Sequence, residues 1–246
     1  MPELPAFVAH RFGRAYGPDS SRRALSRALA GPLGGVETDC VLTADDRIVL
    51  LHDSQLEQST DLRGWARELD ADAVVAGHLR DADRAITAER PLLLEEGLDL
   101  LAPHEHLRVQ LEVKAYADDT LAIRTAEVAC ERALAHGGVA RERLEIISFW
   151  PDAAVVAARH GLRSRLIVAC AYTPDALARW ATDHGVIGVI LEGPYFAATP
   201  IAIWRRAGLS VMSGVVNDAR SLGRLLAHAP DLVATDRPHE LRAEAA

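Results

Sequence analysis

The sequence predicts an α/β protein folded as a closed (β/α)8 barrel of the TIM type, because short apolar runs alternate with helical patterns along the whole chain. The length of 246 residues fits one such barrel, which commonly has ~250 residues. No Gly-x-Gly-x-x-Gly loop follows the first apolar run, and this disfavours the nucleotide-binding form of the competing doubly wound open sheet. We therefore expect a single domain over residues 1–246.

The predicted elements follow from the spacing of the apolar residues. Strands are expected at residues 6–10, 36–42, 48–51, 107–113, 144–149, 166–171, 186–191, 209–212 and 232–234. Helices are expected at residues 20–30, 92–101, 118–136, 152–159, 174–182, 200–207 and 218–227. Prolines that sit where the first turn of a helix would begin are Pro91, Pro151, Pro174 and Pro200. The irregular segment 54–90, rich in Asp and Arg, is predicted to be an insertion after the second strand that covers one mouth of the barrel.

Composition and charge exclude several classes of function. Hydrophobic residues make up 49% and charged residues 25% of the chain, which is typical of a globular protein with a sizeable core. The 35 acidic residues outnumber the 27 basic ones, so no nucleic-acid partner is expected, although a small anionic substrate needs only a few local cations. The start of the chain resembles neither a signal peptide nor a membrane anchor. Three scattered cysteines, Cys40, Cys130 and Cys170, favour a cytoplasmic location with reduced thiols.

Charged and imidazole side chains follow several predicted strands. Functional groups of such barrels gather at the C-terminal ends of the strands, so we expect these side chains at one mouth. In chain order they are His10, Arg11, Glu37, Asp39, His52, Asp53, Glu112 and Lys114.

Glu37 and Asp39 are two positions apart, so both carboxylates project from the same face of their strand. Glu112 lies in another apolar strand and shares a face with Lys114. Burying an unpaired charge costs several kcal/mol, and a hard cation is a natural partner for such carboxylates. A buried Glu–Lys pair beside an acidic strand rim is the alternative without a metal.

His10 and His52 each end a predicted strand. A single histidine in that position is more often only a packed residue. Two imidazoles near one metal would instead supply the acid and the base for phosphoryl transfer, because their pKa values lie near the working pH. Arg11 offers a forked cation suited to phosphate oxygens, and Lys114 offers a point charge.

The ordered set of motifs resembles the glycerophosphodiester phosphodiesterase family of TIM-barrel enzymes. It runs His10-Arg11, Glu37-x-Asp39, His52-Asp53 and Leu111-Glu112-Val113-Lys114, with supporting similarity at Leu42-Thr43-Ala44-Asp45, Pro91-Leu92-Leu93-Leu94-Glu95-Glu96, Ile147-Ser148-Phe149 and Thr235-Asp236-Arg237-Pro238. The resemblance spans roughly residues 6–241 and raises the metal-site interpretation above its alternative.

The resemblance implies a metal-dependent phosphodiesterase that hydrolyses glycerophosphodiesters to glycerol 3-phosphate and an alcohol. One divalent cation, Mg2+ or Ca2+, would be held by Glu37, Asp39 and Glu112. His10 and His52 would be the general acid and base, in an order left open. The family uses the substrate's neighbouring hydroxyl as nucleophile, through a cyclic phosphate that water then opens. Arg11 and Lys114 would contact the phosphate.

The chain departs from the family pattern at several positions. Phe12 stands where the family has glycine, and Asp19 and Ser20 replace the usual Glu and Asn. Near the seventh barrel strand the usual Trp-Thr-x-Asn segment is replaced around Ser213, where a small residue would admit a bulkier leaving group. Glu192, after the sixth barrel strand, could contact a substrate hydroxyl or amine, or could cap its loop.

Three other functions stay open at this point. A phospholipase D-like lyase would keep the same histidines and metal but stop at the cyclic phosphate. A phosphodiesterase for a bulkier, non-standard head group would share the chemistry. A catalytically silent barrel that binds a phosphorylated ligand is disfavoured, because it has no need for the complete set of histidines and acids. The oligomeric state is not predicted.

Overall fold

The computed structural model describes residues 4–170, 172–192 and 197–245. Its strands are β1 Ala6–Ala9, β2 Gly35–Leu42, β3 Ile48–Leu50, β4 Leu92–Leu93, β5 Arg108–Val113, β6 Leu144–Ser148, β7 Arg163–Val168, β8 Gly188–Leu191, β9 Ser210–Val215 and β10 Leu232–Thr235. Its α-helices are α1 Arg22–Ala28, α2 Ala71–Val75, α3 Leu94–Leu101, α4 Asp119–His136, α5 Pro151–Arg159, α6 Pro174–His184, α7 Ala198–Arg206, α8 Ala219–Leu226 and α9 Pro238–Ala245.

The parallel strands close into a barrel, which confirms the predicted (β/α)8 fold. Going round the barrel their order is β1, β2, β5, β6, β7, β8, β9 and β10, and β1 pairs with both β2 and β10. All of these pairings are parallel. The C-terminal ends of the strands therefore meet at one mouth. In the register of β2 and β5, Asp39 lies beside Glu112, which brings two of the expected acids to the same level.

The strand predicted at residues 48–51 is present, but it is not one of the parallel strands of the barrel. This segment forms β3, which pairs antiparallel with β2, and β4 pairs antiparallel with β3. The physical reason is the short connection at residues 43–47, because a parallel crossover needs about a dozen residues or more. The C-terminal part of the long strand β2 pairs with β3, which runs back along it. His52, which follows β3, therefore lies at the same mouth as the ends of the parallel strands.

Other elements also differ from the predictions. Strand β7 begins at Arg163 and not at residue 166, because Arg163 and Arg165 pair with an acid inside the barrel. The predicted end of that strand, Ala171, lies outside the described residues. Pro91 precedes the short strand β4 and not the first turn of a helix. The sequence patterns also did not predict α9, which packs on β1.

The interior of the barrel has a layer of apolar side chains between two charged ends. This layer consists of Val8, Ile147, Ile167, Ile190, Met212, Leu232 and Ala234. The strand residues that alternate with these point outwards to the surrounding helices, where they form the larger clusters of the core. Since alternate residues of a strand point to opposite faces, this layer shows which positions point towards the barrel axis.

The inserted segment 54–90 packs against the β2–β3 hairpin. Leu56 and Leu79 from the insertion are buried with Val41 and Val49 from the hairpin. The insertion therefore lies beside the mouth and forms one side of it. Trp65 makes an edge-to-face contact with the ring of Tyr116 at 5.4 Å between centroids. Within the described part of the chain, no helix has the length and apolar character needed to cross a membrane.

Candidate active site

Three buried carboxylates lie together at the C-terminal mouth of the barrel. Glu37 and Asp39 project inwards from β2, and Glu112 projects inwards from β5, with only 2%, 0% and 7% of their surfaces exposed. One oxygen of each carboxylate lies within 4.8 Å of the others, so the group could hold a metal ion. The two-residue spacing on β2 and the parallel register with β5 produce this grouping.

The charges around these carboxylates do not satisfy all of their oxygens. Lys114 Nζ lies 3.0 Å from Asp39 Oδ1 and also pairs with Glu112. Within the described part of the chain, Glu37 Oε1 and Asp39 Oδ2 are buried and accept no hydrogen bond. Buried polar atoms normally have a partner. These carboxylate oxygens lack hydrogen bonds and are hard ligands, so they fit a hard divalent cation such as Mg2+ or Ca2+.

The pKa values of the three acids reflect their burial and the charges of their neighbours. Burial, followed by the charge of Asp39, raises the pKa of Glu37 to about 8. Burial also raises the pKa of Glu112, in spite of Lys114. Burial acts in the same direction on Asp39, but the charge of Lys114 and other nearby cations outweighs it and lowers the pKa of Asp39. Glu37 therefore holds a proton near neutral pH when no cation shares the site.

His10 follows β1 and faces this cluster. Its Nδ1 lies 2.6 Å from Asp236 Oδ1, and its Nε2 lies 3.9 Å from Glu37 Oε2. Asn217 Nδ2 donates to the other oxygen of Asp236 at 2.7 Å. Burial favours the neutral imidazole, yet the hydrogen bond to Asp236 and the charge of Glu37 outweigh burial and raise the pKa of His10. With Nδ1 held by Asp236, Nε2 is the nitrogen that can exchange a proton at the mouth.

His52 has a similar arrangement of supporting groups. Its Nδ1 lies 3.0 Å from Asp53 Oδ1, and Ser59 Oγ donates to Asp53 Oδ2 at 2.5 Å. Burial opposes ionisation of Asp53, but the bonds from His52 and Ser59 lower the pKa of Asp53 to about 2. Each histidine is thus oriented by a carboxylate that is itself held by a polar side chain.

Arg11 reaches the cluster through a strained turn. Its φ is 49° and that of Phe12 is 63°, in the left-handed region that side chains disfavour. This turn aims the Arg11 backbone N–H at Glu37 Oε2, at 2.8 Å. The Arg11 guanidinium donates to Asp19 Oδ2 at 2.7 Å, and its Nε lies 3.6 Å from Asp39 Oδ2.

The departures at Phe12 and Ser20 leave the mouth itself intact. The Phe12 side chain is fully buried in the core between the barrel and its helices, so it does not form the floor of the site. The left-handed φ at this position explains why glycine suits it better. Ser20 is also buried, and its hydroxyl accepts a hydrogen bond from Thr38 at 2.8 Å.

Of the two further residues proposed to contact the substrate, Glu192 lines a cavity at the mouth and Ser213 does not. The cavity of Glu192 lies beside the three buried acids, where Phe149 and Gly214 also contribute. Ser213 does not line this cavity. Its side chain is buried, and its hydroxyl donates to the backbone oxygen of Gly214 at 2.9 Å. Because neighbouring strand residues point to opposite sides, it is Gly214 that reaches the mouth.

The sequence patterns missed the groups that orient the histidines. Asp236 and Asn217 come from the loops after β10 and β9, and Ser59 comes from the insertion. Asp236 was noted only as part of a supporting motif. Its place directly after the last barrel strand was the available signal, because the first and last strands are neighbours in a closed barrel.

Comparisons with known proteins agree with this geometry. The sequence model of the glycerophosphoryl diester phosphodiesterase family matches residues 10–240. Among curated proteins, the uncharacterized protein YqiK of Bacillus subtilis (strain 168) is 29% identical over 116 residues, covering 45% of this chain and 46% of the relative. A glycerophosphodiester phosphodiesterase of Bacillus altitudinis is 28% identical over 115 residues, covering the same shares. The chain thus spans about half the length of these curated relatives.

A solved structure has the same fold. It is an Oleispira antarctica phosphodiesterase in complex with the product sn-glycerol-3-phosphate, with a TM-score of 0.85 at 20% identity, covering 98% of this chain and 96% of that one. At such low identity the likeness concerns the fold alone. The family match is broader evidence, since it spans nearly the whole chain and every residue of the mouth described above. On that ground, this chain belongs to the glycerophosphoryl diester phosphodiesterase family.

Proposed function

We propose that the protein is a metal-dependent phosphodiesterase that hydrolyses glycerophosphodiesters to glycerol 3-phosphate and an alcohol. The observation that carries this proposal is the pair of histidines, each oriented by its own carboxylate, beside three buried acids, two of which have oxygens without hydrogen bonds within the described residues. Family membership supports the reaction class. The glycerol 3-phosphate bound to the Oleispira antarctica phosphodiesterase supports the product.

Glu37, Asp39 and Glu112 would hold one divalent cation, Mg2+ or Ca2+. When bound, the cation supplies neutralisation of the phosphate charge and acidifies a coordinated hydroxyl. Arg11 and Lys114 are the cationic side chains beside these acids, and we assign both to the phosphate oxygens. Their charge would favour the binding of an anionic diester within a mouth otherwise rich in carboxylates.

His10 and His52 would move the protons. One imidazole takes the proton from the substrate hydroxyl that attacks phosphorus, and the other gives a proton to the departing alcohol oxygen. Asp236 and Asp53 would keep each ring oriented and stabilise its cationic form. Water then opens the resulting cyclic phosphate, with the proton transfers reversed.

Glu192 is proposed to contact a hydroxyl or amine of the substrate, because it lines the cavity beside the acids. Ser213 is not carried into this proposal, since its side chain does not line that cavity. Cys40, Cys130 and Cys170 are all free thiols, which supports the proposed cytoplasmic location.

The test is a panel of glycerophosphodiesters incubated with the purified protein and Mg2+, Ca2+ or EDTA. Release of glycerol 3-phosphate is measured, with His10→Ala as the control for contaminating activity. We expect release that requires a divalent cation and is lost in the variant. Phosphorus NMR of the products distinguishes hydrolysis from a lyase that stops at the cyclic phosphate. The absence of cleavage with every cation and every diester would refute the proposed function.

A further inference from the structure

A second cavity lies on the other side of the mouth from Glu192. It reaches Arg11 and His52 at one end, and Arg80 and Arg84 of the insertion at the other. The cavity that contains Glu192 reaches His10 and Glu112 and is otherwise mainly apolar. The two histidines therefore face different cavities. If a phosphodiester bound with its phosphate between the two histidines, the two groups esterified to that phosphate would lie in different cavities.

Within the described residues, neither of the two insertion arginines forms an ion pair with a carboxylate. Arg80 donates from Nε to the backbone oxygen of Thr60 at 2.8 Å, and from Nη1 to that of Arg84 at 2.9 Å. Arg84 makes only long contacts, at 3.4 and 3.5 Å, to a backbone oxygen and to a neutral amide. Backbone oxygens thus fix the position of Arg80 and leave its full charge at the cavity.

Most other charged residues of the cavity take part in ion pairs. Arg11 and Arg14 share the carboxylate of Asp19. Asp53 accepts from His52 and Ser59. On the insertion, Oδ1 of Asp81 accepts two backbone N–H groups, so Asp81 keeps its charge as Arg80 does. Four arginines and three aspartates line the cavity, which leaves it a net positive charge, and the guanidinium groups of the insertion are suited to carboxylate or phosphate oxygens.

We propose that this cavity is a head-group subsite, which selects glycerophosphodiesters whose alcohol carries a further anionic group, either a carboxylate or a second phosphate. The proposal rests on the proposed function and names its substrate class. Glycerol is uncharged, so the additional anionic group of such a diester belongs to the head group. This arrangement places the head group beside the insertion, and glycerol in the cavity of Glu192 and Gly214.

Two pairs of substrates that differ by one anionic group test the proposal. Glycerophosphoserine differs from glycerophosphoethanolamine by a carboxylate, and glycerophosphoglycerol phosphate differs from glycerophosphoglycerol by a phosphate. The ratio of KM within each pair is measured for the wild type and for Arg84→Gln. We expect the anionic member to have the lower KM in the wild type, and the ratio to change by roughly three- to tenfold in the variant. The pair that responds shows which anion the cavity accepts.

Two further variants serve as controls. Arg84→Lys keeps the charge and is expected to keep most of the preference. Arg179→Gln removes the same charge from α6, away from the insertion, and is expected to leave both ratios unchanged. A change of the same size in Arg179→Gln would show that net charge causes the preference, and would overturn the proposal. The long contacts of Arg84 indicate that its replacement does not unfold the insertion, and thermal unfolding checks this.

Binding separates this proposal from the proposed function. Calorimetric titration of the His10→Ala protein with the same four diesters measures affinity without turnover. Tighter binding of an anionic member, reduced by the additional change Arg84→Gln, would support the subsite even if the wild type cleaved none of the four. Cleavage of all four with equal KM and equal affinity within each pair would overturn the subsite and leave the phosphodiesterase function intact.

Discussion

The two ends of the barrel bury carboxylates in opposite ways. At the end away from the mouth, Glu145 of β6 is completely buried and accepts hydrogen bonds from four side chains. These are Gln110 at 2.9 Å, Arg163 at 2.8 Å, Arg165 at 3.0 Å and Arg108 at 3.5 Å. At the mouth, Glu37 Oε1 and Asp39 Oδ2 are equally buried but accept no hydrogen bond within the described residues. An apolar layer of side chains separates the two ends.

The pKa values of the two ends differ accordingly. Burial opposes ionisation of Glu145, but Arg165 and its other partners outweigh burial and lower its pKa to about 2. Burial and a neighbouring carboxylate raise the pKa of Glu37 to about 8. A buried carboxylate with hydrogen-bond partners is typical of a structural role, whereas buried carboxylate oxygens without them are typical of a functional site.

The largest expected effect is on stability, at the satisfied end. Glu145→Gln removes the charge that balances Arg165, which is itself completely buried. We expect the free energy of unfolding to fall by about 3–5 kcal/mol, as when one partner of a buried ion pair is lost. Urea unfolding followed by circular dichroism measures this. A loss below ~1 kcal/mol would show that the network contributes little to the fold.

Glu37→Gln is the matching change at the mouth. Because Glu37 holds a proton near neutral pH in the metal-free protein, we expect the free energy of unfolding measured in EDTA to change by less than ~1 kcal/mol. Affinity for Mg2+ or Ca2+, measured by calorimetry, is expected to fall by about 10- to 100-fold or more, because a charged ligand is lost. Strong destabilisation together with unchanged metal affinity would show that Glu37 supports the fold and does not bind the cation, in contrast to the difference expected between the two ends.

The sequence predicted the mouth better than the opposite end. The spacing of Glu37 and Asp39 needs only the alternation of a strand, and the ends of parallel strands meet at one place. The pairing of Glu145 with Arg165 depends on a contact between separate strands, which no local pattern reveals. The predicted strand therefore began at residue 166, although β7 begins at Arg163.

The positions near β9 could not be predicted for a related reason. Strand β9 has an irregularity where it pairs with β10, with a register shift after Val233. Which of Ser213 and Gly214 faces the barrel axis depends on the register of the whole strand, and a shift of one residue exchanges the two faces. Asn217 and Asp236 lie in separate loops, and the parallel pairing of β9 with β10 brings them together.

A smaller effect concerns the pH dependence of metal binding. The cation must displace the proton that Glu37 holds below its pKa of about 8. Affinity is therefore expected to rise by about tenfold per pH unit towards that pKa and to level off above it. Calorimetric titrations in buffers with different ionisation enthalpies count the protons released. The same slope in Glu37→Gln would show that another group is responsible.

The smallest effect is expected from Ser59→Ala, which tests whether support of a mouth histidine can be weakened without loss of stability. The variant removes the hydrogen bond to Asp53, which orients His52. One such bond contributes about 0.5–1.5 kcal/mol, so kcat is expected to fall about two- to tenfold. Unfolding in urea is expected to change little, because Ser59 is only partly buried. An unchanged kcat together with lower stability would instead assign Asp53 and Ser59 to the packing of the insertion, and would leave His10 as the histidine whose orientation governs the rate.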